Sequence, residues 1–317
     1  MPVHKRVEFD PGLTQRYTGR LQRTIEKDGS FNVLRRGVGI RDKGFYLHLM
    51  SSNWPWFLVQ VGVAYTLANV VFAAVYYWIG VEWLAGAPHA TKLEAFLGAF
   101  FFSVQTFTTV GYGHIAPTGI LASSVAALEA MTGLLAFALG TGLLYGRFSR
   151  PSAKLVFSRQ MVVAPYNDGR AVMFRVANGR PNVLMELEAT VILMTVEDGP
   201  DGPRRKFEAL ALERMKVYFL PLSWTLVHPI NEHSPLQGLG PDDLLRMQAE
   251  FLILIKAFDD TFSQAVHARY SYTFEEIEWD SRFLPAFDVN SDGEMVLDLS
   301  QLDRSAGVGA GSVRPGD

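Results

Sequence analysis

The 317-residue chain contains no cysteine. That absence excludes disulfide bonds, thiolate metal sites and cysteine nucleophiles, and it leaves the redox compartment undetermined. The chain also lacks an excess of either charge, because 29 Lys and Arg residues stand against 32 Asp and Glu residues. The resulting net charge of −3 gives no sign of nucleic-acid binding. The first fifty residues lack the apolar core of a cleavable signal peptide.

Charged side chains are missing from two long stretches of the sequence. Residues 51–81 contain no Asp, Glu, Lys or Arg, and Glu129 is the only such residue in 95–146. A helix needs about 20 apolar residues to cross ~30 Å of hydrocarbon. Two runs reach that length, and they predict a first membrane span at 53–80 and a second at 119–149. The sequence therefore predicts a membrane protein with a soluble remainder.

Positive charge is concentrated ahead of the first predicted span. Residues 1–50 hold ten Lys and Arg against five acids, whereas the connection at 80–119 holds a single basic residue, Lys92. Because Lys and Arg are retained on the cytoplasmic side, we expect a multi-pass protein with both termini in the cytoplasm. Residues 1–41 are then a cytoplasmic arm. Residues 42–52 are predicted to form a short helix in the membrane interface, with an extended linker as the alternative.

A third apolar run, between the spans, is too short to cross a membrane. Thr91 and Glu94 form a capping box ahead of it, which predicts a pore helix at 91–107. The residues that follow match the filter motif of K⁺ channels: Thr109, Val110, Gly111, Tyr112 and Gly113. A K⁺-selective pore replaces the ion's hydration shell with inward-pointing carbonyls, and glycine permits the alternating backbone that this needs. One chain supplies one filter strand and a ring needs four, so we expect a homotetramer that binds K⁺ ions at 109–113.

The second predicted span carries one recurring face and one isolated acid. Phe137, Thr141 and Tyr145 recur every four residues, so they share a helix face. If that face lines the pore, Tyr145 is the bulky residue nearest the cytoplasm and closes the pore by dewetting; the alternative is that the face packs on the first span. A buried acid such as Glu129 is costly unless paired or wet. It either braces the filter from behind or lies near the outer vestibule.

Three basic residues follow the second span at the depth of anionic headgroups: Arg147, Arg150 and Lys154. Such clusters bind phospholipid heads, so they predict anionic phospholipid partners. Generic anchoring by the positive-inside rule is the alternative.

The residue pattern of the sequence changes after the transmembrane pore domain, which we place at 53–150. Short strand-like runs separated by turn signals predict a β-sandwich at 151–304, and the Gly- and Ser-rich residues 305–317 predict a disordered tail. Residues 288–293 resemble the start of a calcium-binding loop, but Leu299 occupies the position that needs a bidentate Glu. A β-hairpin is the better interpretation.

The order of these motifs resembles the inward-rectifier (Kir-type) potassium channels, in their prokaryotic branch, over roughly residues 35–302. The matching segments are Asn53-Trp54-Pro55, 99–106 before the filter, 147–151 after the second span, and Leu222-Ser223-Trp224, His228-Pro229-Ile230, 233–236, His267-Ala268-Arg269 and 276–279 beyond it. The resemblance implies an α-helical two-span pore domain with pore helix and re-entrant filter, an immunoglobulin-like cytoplasmic β-sandwich with a second pore, a homotetramer and an interfacial slide helix.

The resemblance also assigns roles to single positions. It implies that Tyr145 lies at the helix-bundle gate, Gly142 at a hinge and Glu186 in the cytoplasmic pore. It implies a gating loop near 257–266. Arg147, Arg150 and Lys154 match the region of the family that senses phosphoinositides.

Several residues depart from the family pattern. Phe137 is apolar where strongly rectifying relatives carry an acid, and Lys256 also replaces an acid, so we expect weak rectification. Gln105 replaces a Glu before the filter, and no Arg follows Gly113, so the usual ion pair behind the filter is missing.

Together these observations predict a K⁺-selective channel of the bacterial inner membrane. We expect it to be gated through the cytoplasmic domain and anionic lipids, with no organic cofactor and no enzymatic activity. The alternative is a membrane-anchored ligand sensor whose pore is vestigial, and ion flux distinguishes the two.

Overall fold

A computed structural model describes residues 11–16, 23–34, 36, 44–149, 153–200 and 202–308. The chain divides into two compact units. One is Arg35–Arg150, and the other combines Met1–Leu34 with Pro151–Asp317.

The first unit is built from helices. Its elements in chain order are α1 (Phe45–Ser51), α2 (Trp54–Ile79), β1 (Leu84–Ala85), α3 (Lys92–Phe107), β2 (Ala116–Pro117) and α4 (Gly119–Phe148). Helices α2 and α4 are long and apolar enough to cross a membrane. At 1.5 Å per residue they are about 39 and about 45 Å long, which exceeds the ~30 Å hydrocarbon core.

Local capping explains where these helices begin and end. The Asn53 side chain accepts a hydrogen bond from Trp56 N at 3.1 Å, which caps the start of α2, and the helix ends at Gly80 with φ of 115°. The predicted capping box of α3 is confirmed, because Thr91 and Glu94 each accept from the other's backbone N–H at 3.2 Å. These contacts satisfy N–H groups that lack intrahelical partners.

Helix α3 packs against both long helices and reaches only part of their length. Small and aromatic side chains from α2 and α3 form the buried contact, among them Ala73, Tyr76, Ala99 and Phe102. The Tyr76 and Phe102 rings meet edge to face with centroids 5.0 Å apart. The short pairing of β1 with β2 then ties the connection before α3 to the connection after it. This packing fixes the position of the chain that follows α3.

The second unit is a β-sandwich. Its elements are β3 (Leu155–Phe157), β4 (Met161–Tyr166), β5 (Gly169–Asn178), β6 (Leu184–Gly199), β7 (Gly202–Leu210), β8 (Lys216–Phe219), β9 (Ser223–Ile230), α5 (Pro241–Arg246), β10 (Glu250–Asp259), β11 (Gln264–Thr273), β12 (Ile277–Trp279), β13 (Ser281–Phe283), β14 (Phe287–Val289), β15 (Met295–Leu297) and β16 (Ser305–Gly307). One sheet has the order β11-β10-β6-β7, and β8 also pairs with β6. The other has the order β12-β4-β5-β3, and β9 also pairs with β5.

Alternate residues of the two sheets face each other across one core. Phe174 and Val176 of β5 are buried with Phe251 and Ile253 of β10. This period-2 burial is the pattern expected of stacked sheets. The predicted combination of a two-span helical unit and a β-sandwich is confirmed.

The described part of the N-terminal arm is joined to the sandwich. The buried carboxylate of Glu250 accepts hydrogen bonds from Thr24 N at 2.9 and 3.0 Å, and Ile25 is buried beside Met194 and Leu252. Charge-assisted bonds from a buried carboxylate to backbone N–H groups are stronger than neutral ones. Residues 23–34 therefore belong to the same unit as the strands.

Two sequence expectations are decided in this unit. The expectation of disorder from residue 305 is wrong at its start, because Ser305–Gly307 forms β16 and pairs with β13. Residues 309–317 lie outside the described part. The β-hairpin expected around 288–293 is confirmed by β14 and β15, and Asn290 Oδ1 accepts from Asp292 N and Glu294 N within its turn. Sequence alone missed the short pairing at β16.

Candidate functional site

The chain after α3 has an alternating backbone. Thr109, Gly111 and Gly113 have φ values of 61°, 51° and 78°, whereas Val110 and Tyr112 between them do not adopt positive φ. Left-handed φ costs an L-residue roughly 1–2 kcal/mol, and a β-branched residue such as Thr resists it most. Alternation of this kind turns successive carbonyls toward one side, which is the geometry of a K⁺ filter. Strain at Thr109 was not evident in the sequence, where glycine alone signalled positive φ.

The C-terminal turn of the pore helix holds this strand in place. Gln105 O accepts hydrogen bonds from Val110 N at 3.0 Å and Gly111 N at 3.2 Å, and Thr109 N donates to Thr106 O at 3.1 Å. The backbone of residues 109–111 is therefore anchored to carbonyls that α3 leaves without helical partners. Within the described residues, the buried Oε1 of Gln105 has no hydrogen-bond partner.

Residues 110–113 are uncovered in the single chain. A Cβ added at Gly111 or Gly113 would meet no atom within 4 Å. The side chains of Val110 and Tyr112 are 54% and 79% exposed. Glycine at 111 and 113 therefore suits the positive φ of these positions, where the single chain itself leaves room for a Cβ.

Helix α4 contacts the pore helix through two residues one turn apart. A Cβ at Gly133 would lie 2.0 Å from Phe107 O, so the two backbones touch at the end of α3. The Glu129 side chain is 0% exposed and lies within hydrogen-bond distance of Ser103 Oγ. Tyr76 of α2 donates to Glu129 Oε2 at 2.7 Å. Of the two positions that the sequence left open for Glu129, these contacts favour the one behind the filter.

The recurring face of α4 does not pack on the first span. Phe137 and Tyr145 are 75% and 74% exposed, and Thr141 and Gly142 are exposed beside them. Thr141 Oγ1 donates to Phe137 O at 2.9 Å, so its hydroxyl is held by its own helix. The alternative in which this face is buried against α2 is therefore wrong.

Arg147 is bound within the protein. Its Nη2 donates to Ser52 O at 2.7 Å and its Nη1 donates to Leu49 O, both at the end of α1. Its guanidinium also lies 4.8 Å from the Trp54 ring centroid and 4.5 Å from that of Phe57. Both terminal guanidinium nitrogens are therefore hydrogen-bonded within the protein, whereas the buried Nε has no hydrogen-bond partner among the described residues. This side chain therefore joins α4 to α1, and a contact between Arg147 and a lipid headgroup stays a prediction.

The remaining predicted site residues lie in the sandwich unit or outside the described residues. Arg150 is outside them, and Lys154 is exposed. Glu186 has a positive φ of 49° in β6, and its exposed carboxylate lies 3.7 Å from Lys216 Nζ. At the β10–β11 turn, the buried carboxylate of Asp259 accepts from Asn182 Nδ2 at 2.7 Å and from Thr261 N at 3.0 Å.

Comparisons with known proteins agree with this architecture. Residues 155–314 match the inward rectifier potassium channel C-terminal domain, and residues 64–149 match the ion channel family. The chain is 35% identical over 292 residues to the inward rectifier potassium channel Kirbac3.1 of Paramagnetospirillum magnetotacticum, covering 90% of this chain and 97% of that protein.

More distant relatives are animal proteins. The chain is 29% identical to ATP-sensitive inward rectifier potassium channel 10 of Homo sapiens, covering 94% of this chain and 86% of that one. It is 26% identical to ATP-sensitive inward rectifier potassium channel 15 of Mus musculus, covering 89% and 81%. The solved structure of the sporulation control protein Spo0M from Bacillus subtilis is too distant to bear on the fold (TM-score 0.23, 11% identity, 41% of this chain and 50% of that chain).

This architecture is that of the pore subunit of an ion channel with an attached β-rich domain. It combines two membrane-length helices, the shorter α3 between them and the strand of alternating backbone conformation. The chain belongs to the inward-rectifier potassium channel family, in agreement with its resemblance to the prokaryotic members. It is a membrane protein and an ion channel, and not an enzyme.

Proposed function

We propose that residues 109–113 are the K⁺ selectivity filter, with the backbone carbonyls of Thr109, Val110, Gly111 and Tyr112 as ion ligands. The alternation of φ at 109, 111 and 113 is the observation that carries this proposal. An ion that sheds its hydration shell needs oxygens presented together, and alternating conformations present them without side-chain ligands. K⁺ passes through as cargo, and no organic cofactor enters the proposal.

The filter is completed by four copies of this chain. A single strand offers oxygens on one side of the ion, whereas a closed ring surrounds it. Tyr112, Phe137 and Tyr145 are exposed in the single chain, so these side chains are available to line the pore or to contact neighbouring copies.

The gate and the weak rectification follow from the same face of α4. Tyr145 is the constriction near the end of the helix, and Gly142 allows the bend that opens it. Phe137 carries no charge, so it offers multivalent cations no electrostatic site. Internal Mg²⁺ is therefore expected to block outward current weakly and with little voltage dependence.

Anionic phospholipids regulate the channel through Arg150 and Lys154, with Arg147 coupling α1 to α4 from within the protein. Glu186 faces the pore of the sandwich domain, and the turn around 257–266 is the gating loop. The channel resides in the bacterial inner membrane with both termini in the cytoplasm. The excess of basic residues ahead of the first span supports this orientation.

The experiment is uptake of radioactive Rb⁺ into liposomes that contain the purified channel, with Na⁺ as competitor and Ba²⁺ as blocker. Gly111→Ala places a Cβ where φ is 51°, and Gly140→Ala is the matched control in open space on α4. We expect Na⁺-resistant uptake in the wild type and in Gly140→Ala, and its loss in Gly111→Ala. Equal uptake in both variants, or a tetramer that takes up no Rb⁺ in any lipid mixture, contradicts the proposal; the second result favours a ligand sensor with a vestigial pore.

A further inference from the structure

Four polar side chains form a buried cluster between the two long helices and the pore helix. They are Asn69 and Tyr76 of α2, Ser103 of α3 and Glu129 of α4, and we call them the buried polar cluster. Each is almost completely inaccessible to solvent. Buried polar groups need matched donors and acceptors, so the position of each hydrogen can be deduced from the distances.

The side-chain amide of Asn69 can adopt only one orientation. Asn69 Nδ2 lies 2.8 Å from Tyr65 O, and a backbone carbonyl is only an acceptor. The amide nitrogen must therefore face Tyr65, which turns the amide oxygen Oδ1 toward Ser103. The reverse orientation would bring two acceptor oxygens together at 2.8 Å.

The next step is the single hydroxyl proton of Ser103. Ser103 Oγ lies 3.1 Å from Asn69 Oδ1 and is also hydrogen-bonded to Glu129 Oε1. Ser103 has one proton for two acceptors, and the buried Asn69 Oδ1 is satisfied only if that proton points to it. The bond between Ser103 and Glu129 then needs a proton from the acid.

We infer that Glu129 is a neutral carboxylic acid whose proton sits on Oε1 and bonds the second span to the pore helix. Its other oxygen, Oε2, accepts from the Tyr76 hydroxyl at 2.7 Å, as a carbonyl oxygen does. No described Lys, Arg or His lies within ion-pair distance of this carboxyl group. An ionised acid here would be buried without a counter-charge, which is very costly at membrane depth.

The proton has a mechanical consequence for the filter, and this part rests on the proposed assignment of 109–113. Ser103 lies two residues before Gln105, whose carbonyl holds the amides of Val110 and Gly111. Gly133, one turn after Glu129, touches the end of the same helix at Phe107 O. Glu129 is thus a positioning residue that fixes the pore helix laterally, while Gln105 O fixes the strand.

The first test detects the proton without any ion flux. Infrared difference spectra of the full-length channel in liposomes at mildly alkaline pH compare the wild type with Glu129→Gln. We expect the wild type to show the carbonyl stretch of a protonated carboxylic acid, and Glu129→Gln to lose it. The control is Glu276→Gln. Glu276 is paired with Lys27 at 2.7 Å, so this substitution should remove only a carboxylate band. A wild type whose Glu129 signal is a carboxylate band would overturn the inference, whatever the channel conducts.

The second test measures positioning by Rb⁺ uptake under Na⁺ competition. Glutamine offers an N–H to Ser103 and an oxygen to Tyr76, so Glu129→Gln should conduct and select like the wild type. Glu129→Ala removes the bonds to Ser103 and to Tyr76, and it should lower the Na⁺-resistant uptake by at least about tenfold, the factor that one hydrogen bond of ordinary strength maintains. A loss in Glu129→Gln as large as in Glu129→Ala overturns the positioning role. If Glu129→Ala does not assemble, uptake by Glu129→Gln alone tests the positioning role. A wild type without uptake counts against the filter assignment and not against the protonation of Glu129.

Discussion

Gly133→Ala should separate the second span from the pore helix. The new Cβ would lie 2.0 Å from Phe107 O, whereas ordinary contacts begin at 3.4 Å. The obstacle is a backbone atom, so α4 and the end of α3 must move apart by about 1.4 Å to restore an ordinary contact. Overpacking of this size costs typically about 1–3 kcal/mol. Phe107 lies two residues before Thr109, the first residue of the proposed filter, so the displacement should also disturb conduction.

The measurement is the apparent Tm of the purified channel together with Rb⁺ uptake. Gly140→Ala is the control, because its Cβ meets no atom within 4 Å and alanine in a helix is favoured over glycine by about 0.5–1 kcal/mol. We expect Gly133→Ala to lower both the Tm and the uptake, and Gly140→Ala to preserve both. A Gly133→Ala channel with wild-type Tm and uptake would refute the close approach of α4 to the pore helix.

Two further predictions concern the junction at Arg147 and the sandwich core. Arg147→Lys replaces the two guanidinium contacts to Ser52 O and Leu49 O with a point charge, and it should cost about 1.5–3 kcal/mol of local stability. The loss should appear as faster amide hydrogen exchange in α1. Arg159→Lys, at an exposed position, should leave exchange in α1 unchanged, and equal exchange in both variants refutes the junction. Burial lowers the pKa of His228, so its neutral form is favoured in the folded state and its stabilising effect is present above the unfolded value of 6.5. The Tm should therefore fall as pH drops through about 6.5, less so in His228→Gln than in the wild type or in the exposed-site control His233→Gln, and parallel pH profiles would contradict this.

Much of the helical unit was predictable because its signals are local. The charge-free stretches, the Thr91–Glu94 capping box and the filter motif each lie within a few turns of chain. Interactions between distant segments were not predictable in the same way. Glu129 was recognised as costly, but its partners Ser103 and Tyr76 are 26 and 53 residues away.

Arg147 shows why charge patterns alone mislead. A basic residue at the end of a membrane span reads the same in sequence whether it meets a phosphate or a backbone carbonyl. The hydrogen-bond partner of Arg147 is set by the end of α1, since Ser52 lies 95 residues earlier in the chain. Thr109 shows a second limit, since positive φ at a β-branched residue is imposed by the carbonyls of the preceding helix turn and not by its own preference.

The central claim is that four copies of 109–113 present their carbonyls to K⁺. The most direct measurement is anomalous X-ray scattering from crystals of the channel soaked in Rb⁺, compared with crystals soaked in Na⁺. The account predicts a row of Rb⁺ peaks on a fourfold axis between the carbonyls of Thr109 and Tyr112, and a marked loss of those peaks in Gly111→Ala. An assembly with another symmetry, or Rb⁺ density confined to sites away from 109–113, would contradict it.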